Sequence, residues 1–110
     1  MTMRDEWPVL AVWKYSLPFG PDRCFELSMP DGAQILHVAA QAGVPKLWAL
    51  VNPAMSPAPR HFLALSTGFS TTALPPEAIY LGTVLDGLGL VWHYFELRAA
   101  GLPKNRVQRL

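Results

Sequence analysis

The stretch best suited to holding a small anion is Ser66-Thr67-Gly68-Phe69-Ser70, which follows an apolar run. Backbone N–H groups and hydroxyl side chains can converge on an anion at a glycine turn. Arg60, at the start of the same run, would supply a positive charge. The spacings GxxxxGK[ST] and GxGxxG are absent, and an ordinary turn with local Ser and Thr hydrogen bonds explains the same residues. Two alternatives stay open: a structural turn, or a phosphate site formed by Arg60, Thr67 and Gly68.

Two other stretches each place a pair of aromatic residues around a titratable one, Trp13-Lys14-Tyr15 and Trp92-His93-Tyr94. In a strand, alternation puts Trp13 and Tyr15 on one face, whereas both faces of the second stretch are largely apolar. Such side chains fill a core, cover a protein interface or stack on a nucleobase. All three uses stay open. The second stretch is the candidate interface, and the first is the candidate aromatic wall of a ligand pocket.

No grouping of residues is typical of catalysis or metal binding. His37, His61 and His93 lack the HxH, HxxxH and CxxC spacings of zinc sites. Cys24 follows Arg23, but a lone cysteine is more often structural than nucleophilic. The acidic residues are scattered mainly through predicted turns, so no carboxylate pair stands out. The sequence therefore predicts no enzymatic activity, no cofactor and no metal.

Composition indicates one small globular domain in a reducing compartment. The chain has 110 residues, a net charge of +1 and a hydrophobic fraction of 51%. These values exclude a disordered chain and give no strong field toward nucleic acid or membrane. The single cysteine favours the cytoplasm, and we find neither a secretory signal nor a run of about 18 apolar residues. We expect a domain at residues 1–98 and a basic tail at 99–110.

Frequent prolines and glycines divide the chain into strand-sized apolar runs. They predict an all-β fold, a compact antiparallel sandwich or small barrel of six or seven strands, with at most one helical turn near residue 76. Consecutive strands should pair, and QAGVP and DGLG should each close a hairpin. Trp13, Trp48 and Trp92 should be buried. The predicted strands cover residues 10–17, 23–29, 33–40, 46–52, 60–67, 78–85 and 89–97.

The tail is basic, and Gly101 and Pro103 should stop the last strand from continuing into it. We expect it to be mobile or to dock as a short segment, and to be dispensable for folding. Its charge would support weak polyanion binding without sequence specificity. Its basic residues are Lys104, Arg106 and Arg109, and Arg98 directly precedes it.

In its combination of motifs, the chain resembles a family of small uncharacterised domains from bacteriophages and bacteria. The likeness covers about residues 11 to 97 and implies a β-rich fold and a phage or prophage context. The family has no assigned activity, so the resemblance supplies no site. The matching segments are Trp13-Lys14-Tyr15-Ser16-Leu17, Met29-Pro30-Asp31-Gly32-Ala33-Gln34-Ile35-Leu36-His37-Val38, Leu47-Trp48-Ala49-Leu50-Val51, Ser66-Thr67-Gly68, Tyr80-Leu81-Gly82-Thr83 and Val91-Trp92-His93-Tyr94-Phe95-Glu96.

Two hypotheses for function follow. The leading one is a non-enzymatic binding protein of phage or prophage origin that contacts a host or phage protein in the host cytoplasm. We expect a homodimer, because a small β domain must cover its edge strands. The alternative is a protein that binds or sequesters a nucleotide-like ligand in phage counter-defence. A pocket near Thr67 lined by Arg60 and an aromatic residue would favour the alternative, and a flat apolar surface the leading hypothesis.

Overall fold

A computed structural model describes residues 7–18, 23–71, 74–97 and 107–109. All regular secondary structure in these residues is β-strand, as predicted, and each of the seven predicted strands is present. Near residue 76 there is a turn rather than a helix, in which the Ala78 N–H donates to the Pro75 carbonyl at 3.0 Å. The strands are β1 (Ala11–Ser16), β2 (Arg23–Pro30), β3 (Gln34–Gln41), β4 (Val44–Val51), β5 (Pro57–Ser66), β6 (Ile79–Leu85), β7 (Val91–Leu97) and β8 (Val107–Arg109).

The strands form two sheets, which is a sandwich and not a closed barrel. One sheet has the order β1-β4-β3 and the other the order β6-β7-β5-β2-β8. The two predicted hairpins, β3–β4 and β6–β7, are confirmed. The expectation that all consecutive strands pair is wrong. Other connections lead from one sheet to the other or skip a strand within a sheet. As a result β5 lies between β2 and β7, and β4 pairs with β1.

The two hairpins meet at their tips, where backbone contacts backbone. The β3–β4 turn has positive φ angles at Ala42 (52°) and Gly43 (78°), as in the two-residue turns that match strand twist. The Gly43 carbonyl accepts a hydrogen bond of 2.8 Å from the Gly87 N–H. A Cβ on Gly43 would lie 3.1 Å from the Gly87 Cα. Glycine at this position therefore lets the two sheets approach each other.

The core lies between the inner faces of the two sheets and is built around aromatic rings. Phe25 stacks on Phe62 at a centroid distance of 5.3 Å, and Tyr94 meets Phe25 edge-on. The Tyr94 hydroxyl donates to the Pro18 carbonyl at 2.8 Å, which ties the end of β1 to the other sheet. A second, smaller cluster contains Cys24, which is buried with Leu63 and Leu97.

Of the three tryptophans predicted to be buried, only Trp92 is, at 2% exposure. Trp13 keeps 41% of its surface exposed because β1 is an edge strand. Trp48 is half-buried because the alternation of β4 turns Leu47 and Ala49 inward instead. The prediction is therefore wrong for Trp13 and overstated for Trp48.

Part of the predicted tail is a strand. Residues 107–109 form β8, which pairs in parallel with residues 24–26 of β2. Of the two expectations for the tail, mobile or docked, these three residues follow the second. Arg98 and the remaining tail residues lie outside the described residues. They include Gly101, Pro103, Lys104 and Arg106. In the part of the chain that is described, we find no helix able to cross a membrane.

Candidate functional site

An apolar cleft of about 600 Å³ opens where β5 ends and the β6–β7 hairpin turns back. Buried Trp92 forms part of its wall, while both sides are provided by short loops. The cleft can accept a side chain or a small molecule, because pockets of this size hold drug-sized ligands. Its lining consists of Ser66, Thr67, Phe69, Gly89, Leu90, Val91 and Trp92.

Asp86 fixes the shape of the hairpin on one side of the cleft. One carboxylate oxygen accepts hydrogen bonds from the N–H groups of Leu88 at 2.8 Å and Leu90 at 3.0 Å. The other accepts from the Trp92 indole Nε1–H at 2.8 Å. The Trp92 bond is the main reason that the pKa of Asp86 is lowered, with the backbone donors adding to it. The hairpin is therefore held in one conformation before anything binds.

The turn after β5 forms the opposite side. The Thr67 N–H donates to the Val91 carbonyl and the Phe69 N–H to the Ser66 carbonyl, each at 3.2 Å. Gly68 has a φ of 92°, which side chains other than glycine rarely adopt. This turn directs Phe69 outward with 68% exposure, and the hairpin does the same for Leu88 (78%) and Leu90 (50%). We call Phe69, Leu88 and Leu90 the apolar rim.

A chain of hydroxyl groups and one imidazole starts at Thr67, at the edge of the cleft. Thr67 Oγ1 lies 2.7 Å from His93 Nε2, and His93 Nδ1 lies 2.9 Å from Thr83 Oγ1. Thr83 Oγ1 is in turn 2.5 Å from the Tyr80 hydroxyl. Since a hydroxyl can both donate and accept, this chain satisfies either tautomer of His93.

The Thr67–His93 contact has the distance of a nucleophile and its base, but the rest of a catalytic arrangement is not seen among the described residues. In Ser-His-Asp sites a carboxylate orients the histidine and stabilises its charged form. Here Thr83, a neutral hydroxyl, occupies that position. The arrangement is suited to hydrogen bonding with a bound group.

The predicted phosphate site is not assembled. Arg60 makes a two-pronged ion pair with Glu96, with Nη2 2.9 Å from Oε1, and Nη1 donates to the Ala33 carbonyl at 2.7 Å. The Glu96 hydrogen bond is the main cause that raises the pKa of Arg60. Thr67 lies seven positions further along the chain from Arg60, roughly 23 Å at a strand's rise. Thr67 and Gly68 flank the cleft without Arg60.

The aromatic residues predicted to line a pocket or an interface are also not brought together at one site. Trp13 and Tyr15 belong to β1 of the other sheet, and neither is among the described residues that line the cleft. Tyr94 is fully buried within the chain, and Trp92, at 2% exposure, contributes to the surface only as part of the cleft wall. Of that predicted set, His93 is half-buried and joins Thr67 in the hydroxyl–imidazole chain.

Sequence reasoning missed the apolar rim and Asp86. A signal for both exists in DGLGL, since a hairpin loop usually carries polar residues and here carries Leu88 and Leu90. Asp at the start of a turn commonly accepts hydrogen bonds from the N–H groups that follow. Across the described residues, no three His, Cys, Asp or Glu side chains come together as metal ligands.

Comparison with known proteins gives a family and no activity. The sequence profile of a family described as a domain of unknown function, DUF7352, matches residues 9–104. The chain belongs to the DUF7352 family. No curated protein and no solved structure matches it. For this DUF7352 domain the cleft therefore has to be interpreted from its own geometry.

The hydrogen bonds that the Asp86 carboxylate accepts should make the stability of the domain fall in acid. A group whose pKa is lower in the folded state stabilises the fold above its unfolded-state pKa, about 3.9, and this contribution is lost as the pH falls through the folded-state pKa. Urea unfolding between about pH 6 and pH 2 should show a weaker acid loss for Asp86→Asn than for the unmodified chain. The exposed Glu77→Gln is the control, and identical profiles for all three proteins would contradict the role of Asp86.

Tyr15→Phe should stabilise the domain. Tyr15 packs against the core, its hydroxyl is buried without a hydrogen-bond partner in the described structure, and desolvation raises its pKa. An unsatisfied buried polar group costs about 1–3 kcal/mol, so removing the hydroxyl should raise the free energy of unfolding by a similar amount. Tyr80→Phe is the control, because the exposed Tyr80 hydroxyl contacts Thr83. A less stable Tyr15→Phe protein would mean that the hydroxyl has a partner.

Proposed function

We propose that this chain is a non-enzymatic binding protein whose cleft and apolar rim take up an apolar segment of a protein partner. One observation carries the proposal: Phe69 and Leu90 line an apolar cleft and are exposed, and exposed Leu88 lies in the same hairpin loop as Leu90. Scattered exposed apolar residues are normal, but a group of them around a concavity marks a binding site.

The energetics favour a protein partner. Burial of a Leu or Phe side chain contributes about 1.5–3 kcal/mol, so the rim supplies the apolar centre that interfaces need. The hydrogen bonds of Asp86 already hold the backbone of Leu88 and Leu90 in place. Binding therefore loses little backbone conformational entropy on this side.

Phage or prophage origin, with a host or phage protein as the partner in the host cytoplasm, belongs to the same proposal. Its support is the motif resemblance, from Trp13-Lys14-Tyr15 through Val91-Trp92-His93. A homodimer also belongs to it. β1, β3, β6 and the short β8 end their sheets among the described strands, and an open strand edge tends to pair.

The nucleotide-like alternative has less support from the geometry. The described residues that line the cleft include no cation, and Arg60 is occupied by Glu96. A phosphate would thus meet the Thr67-Gly68 turn without a countercharge. The alternative predicts that nucleotides raise the melting temperature and that Thr67→Val abolishes this rise.

The test compares partner capture by three proteins: the unmodified chain, Leu88→Asp/Leu90→Asp, and the control Met55→Asp. Met55 is exposed at 44% in the loop between β4 and β5, away from the rim in sequence. In pull-downs from bacterial and phage-infected lysates, a specific partner should be lost with the rim variant and kept with the control. Capture of the same proteins by all three would overturn the proposal.

Oligomeric state needs a separate measurement. Light scattering should return about twice 12.2 kDa for the unmodified chain if it is a homodimer. A dimer that persists in Leu88→Asp/Leu90→Asp would place the dimer contact away from the rim and leave the cleft available to another protein. A mass of 12.2 kDa would remove the homodimer from the proposal.

A further inference from the structure

The outer face of the three-stranded sheet carries an arrangement that the cleft does not explain. In β4, Leu47, Ala49 and Val51 are buried, so Lys46 and Trp48 project to the outer side, where both are half-buried. On the neighbouring strands, Lys14 and His37 are exposed. We call Lys14, His37, Lys46 and Trp48 the basic face.

The register of the sheet places three of these residues in one row. Trp48 lies directly opposite Lys14 of β1 on one side and His37 of β3 on the other. The His37 and Trp48 rings are 6.2 Å apart and inclined by 33°. Lys46 follows in the next row, opposite Ser16. An aromatic ring thus lies at the middle of the sheet with a positive charge beside it.

Both lysines are without a carboxylate partner in the described structure. Lys14 Nζ donates to Gln41 Oε1 at 2.8 Å, and Lys46 Nζ donates to Ser16 Oγ at 2.7 Å. These acceptors are neutral, so each ammonium keeps its full charge and two further N–H donors.

The described carboxylates lie elsewhere in the fold. Glu26 is beside His61, Glu96 pairs with Arg60, and Asp86 caps the hairpin. Asp31 and Glu77 lie in turns. The basic face is therefore positive although the whole chain is nearly neutral.

We propose that the basic face binds single-stranded nucleic acid without sequence preference. Lys14 and Lys46 would contact successive phosphates, and an unpaired base would stack on Trp48 beside His37. Sheet surfaces bind single strands in this way: cations contact the phosphate backbone, and an aromatic ring stacks on a base. An acidic protein segment would satisfy the lysines but would not use the ring.

A single strand fits better than a duplex. Two lysines release few counterions from either form of nucleic acid, so charge alone binds both weakly and does not favour the single strand. Stacking on Trp48 adds affinity only for a base that is not paired. The site is separate from the cleft, so either proposal can fail without the other.

The test is fluorescence anisotropy with a labelled oligothymidine of about 12 nucleotides, within the range that one such surface covers. At low salt the dissociation constant should be on the order of 10⁻⁴ M, and log K should fall against log salt with a slope of about −1.4 from two phosphate contacts. Lys14→Gln/Lys46→Gln should remove most of that slope. Lys104→Gln/Arg106→Gln, with the same loss of charge in the tail, should keep it.

Trp48→Leu separates stacking from charge. It should weaken binding roughly 5- to 150-fold and leave the salt slope unchanged, because stacking does not release counterions. The exposed His37→Ala is a second variant with less effect on packing, and it should also weaken binding. Thermal melting checks that each variant is folded.

Three outcomes would overturn the proposal. The first is a salt slope that is lost with the tail variant and kept with the lysine variant. The second is a duplex of equal length that binds as tightly as the single strand. The third is polyglutamate that competes as well as the oligonucleotide and is insensitive to Trp48→Leu, which would identify a surface for acidic proteins.

Discussion

Phe25→Ala should lower the free energy of unfolding by about 3–5 kcal/mol, the usual cost of truncating a buried aromatic side chain. Phe25 is fully buried, stacks on Phe62 and contacts the edge of Tyr94, so its removal leaves a cavity at the centre of the core. Chemical denaturation measures the loss. For a domain of this size it can equal a large part of the total stability.

Phe69→Ala is the matched control, because it deletes the same side chain from the apolar rim. Phe69 is 68% exposed, so stability should change by no more than about 0.5 kcal/mol. Partner capture should fall instead. Equal destabilisation by the two substitutions would show that Phe69 is part of the fold and not free for binding.

Gly82→Ala should destabilise the domain by about 1–3 kcal/mol, as overpacking of a filled core does. Gly82 follows a bulge in the β6–β7 pairing. At this point β6 comes close to β3 of the other sheet. A Cβ on Gly82 would lie 2.4 Å from Cγ2 of Val38, whose side chain is buried. Thermal or urea unfolding gives the loss.

Val38→Ala supplies the test of that mechanism. It removes the methyl group that the new Cβ would meet, so adding Gly82→Ala to it should cost less than adding Gly82→Ala to the unmodified chain. The cost that remains is the strain of a side chain at the φ of Gly82, +157°. The double-mutant cycle measures this coupling. Strictly additive effects would mean that Gly82→Ala acts through the backbone rather than through Val38.

Local sequence features were enough to predict β1 to β7 and both hairpins, but not β8. Each of these seven strands is a short apolar run between turn residues, and Ala42-Gly43 and Asp86-Gly87 mark the hairpins within their own segments. The partners of β5 were not predictable in this way. Its pairing with β2 and β7 depends on contacts between distant segments, which local patterns do not encode.

The candidate site shows the same division. The sequence marked Thr67, Gly68 and His93, and the structure brings Thr67 and His93 together. It misplaced Arg60, although a signal was present. Arg60 is two positions from Phe62 and therefore shares the inner face of β5 with it. In the same way, Glu96 shares the inner face of β7 with Tyr94. Two opposite charges on core faces need each other as partners, because a buried charge without one is costly.

The parallel pairing of β8 with β2 has a consequence for biosynthesis. Residues 24–26 leave the ribosome long before residues 107–109, so one edge of β2 stays open while the intervening chain is made. An open strand edge is a template for pairing with other chains, and nascent proteins are exposed to that risk. β8 acts as a late cover on this edge, and a premature stop before residue 107 would leave a chain with all seven longer strands but a greater tendency to aggregate.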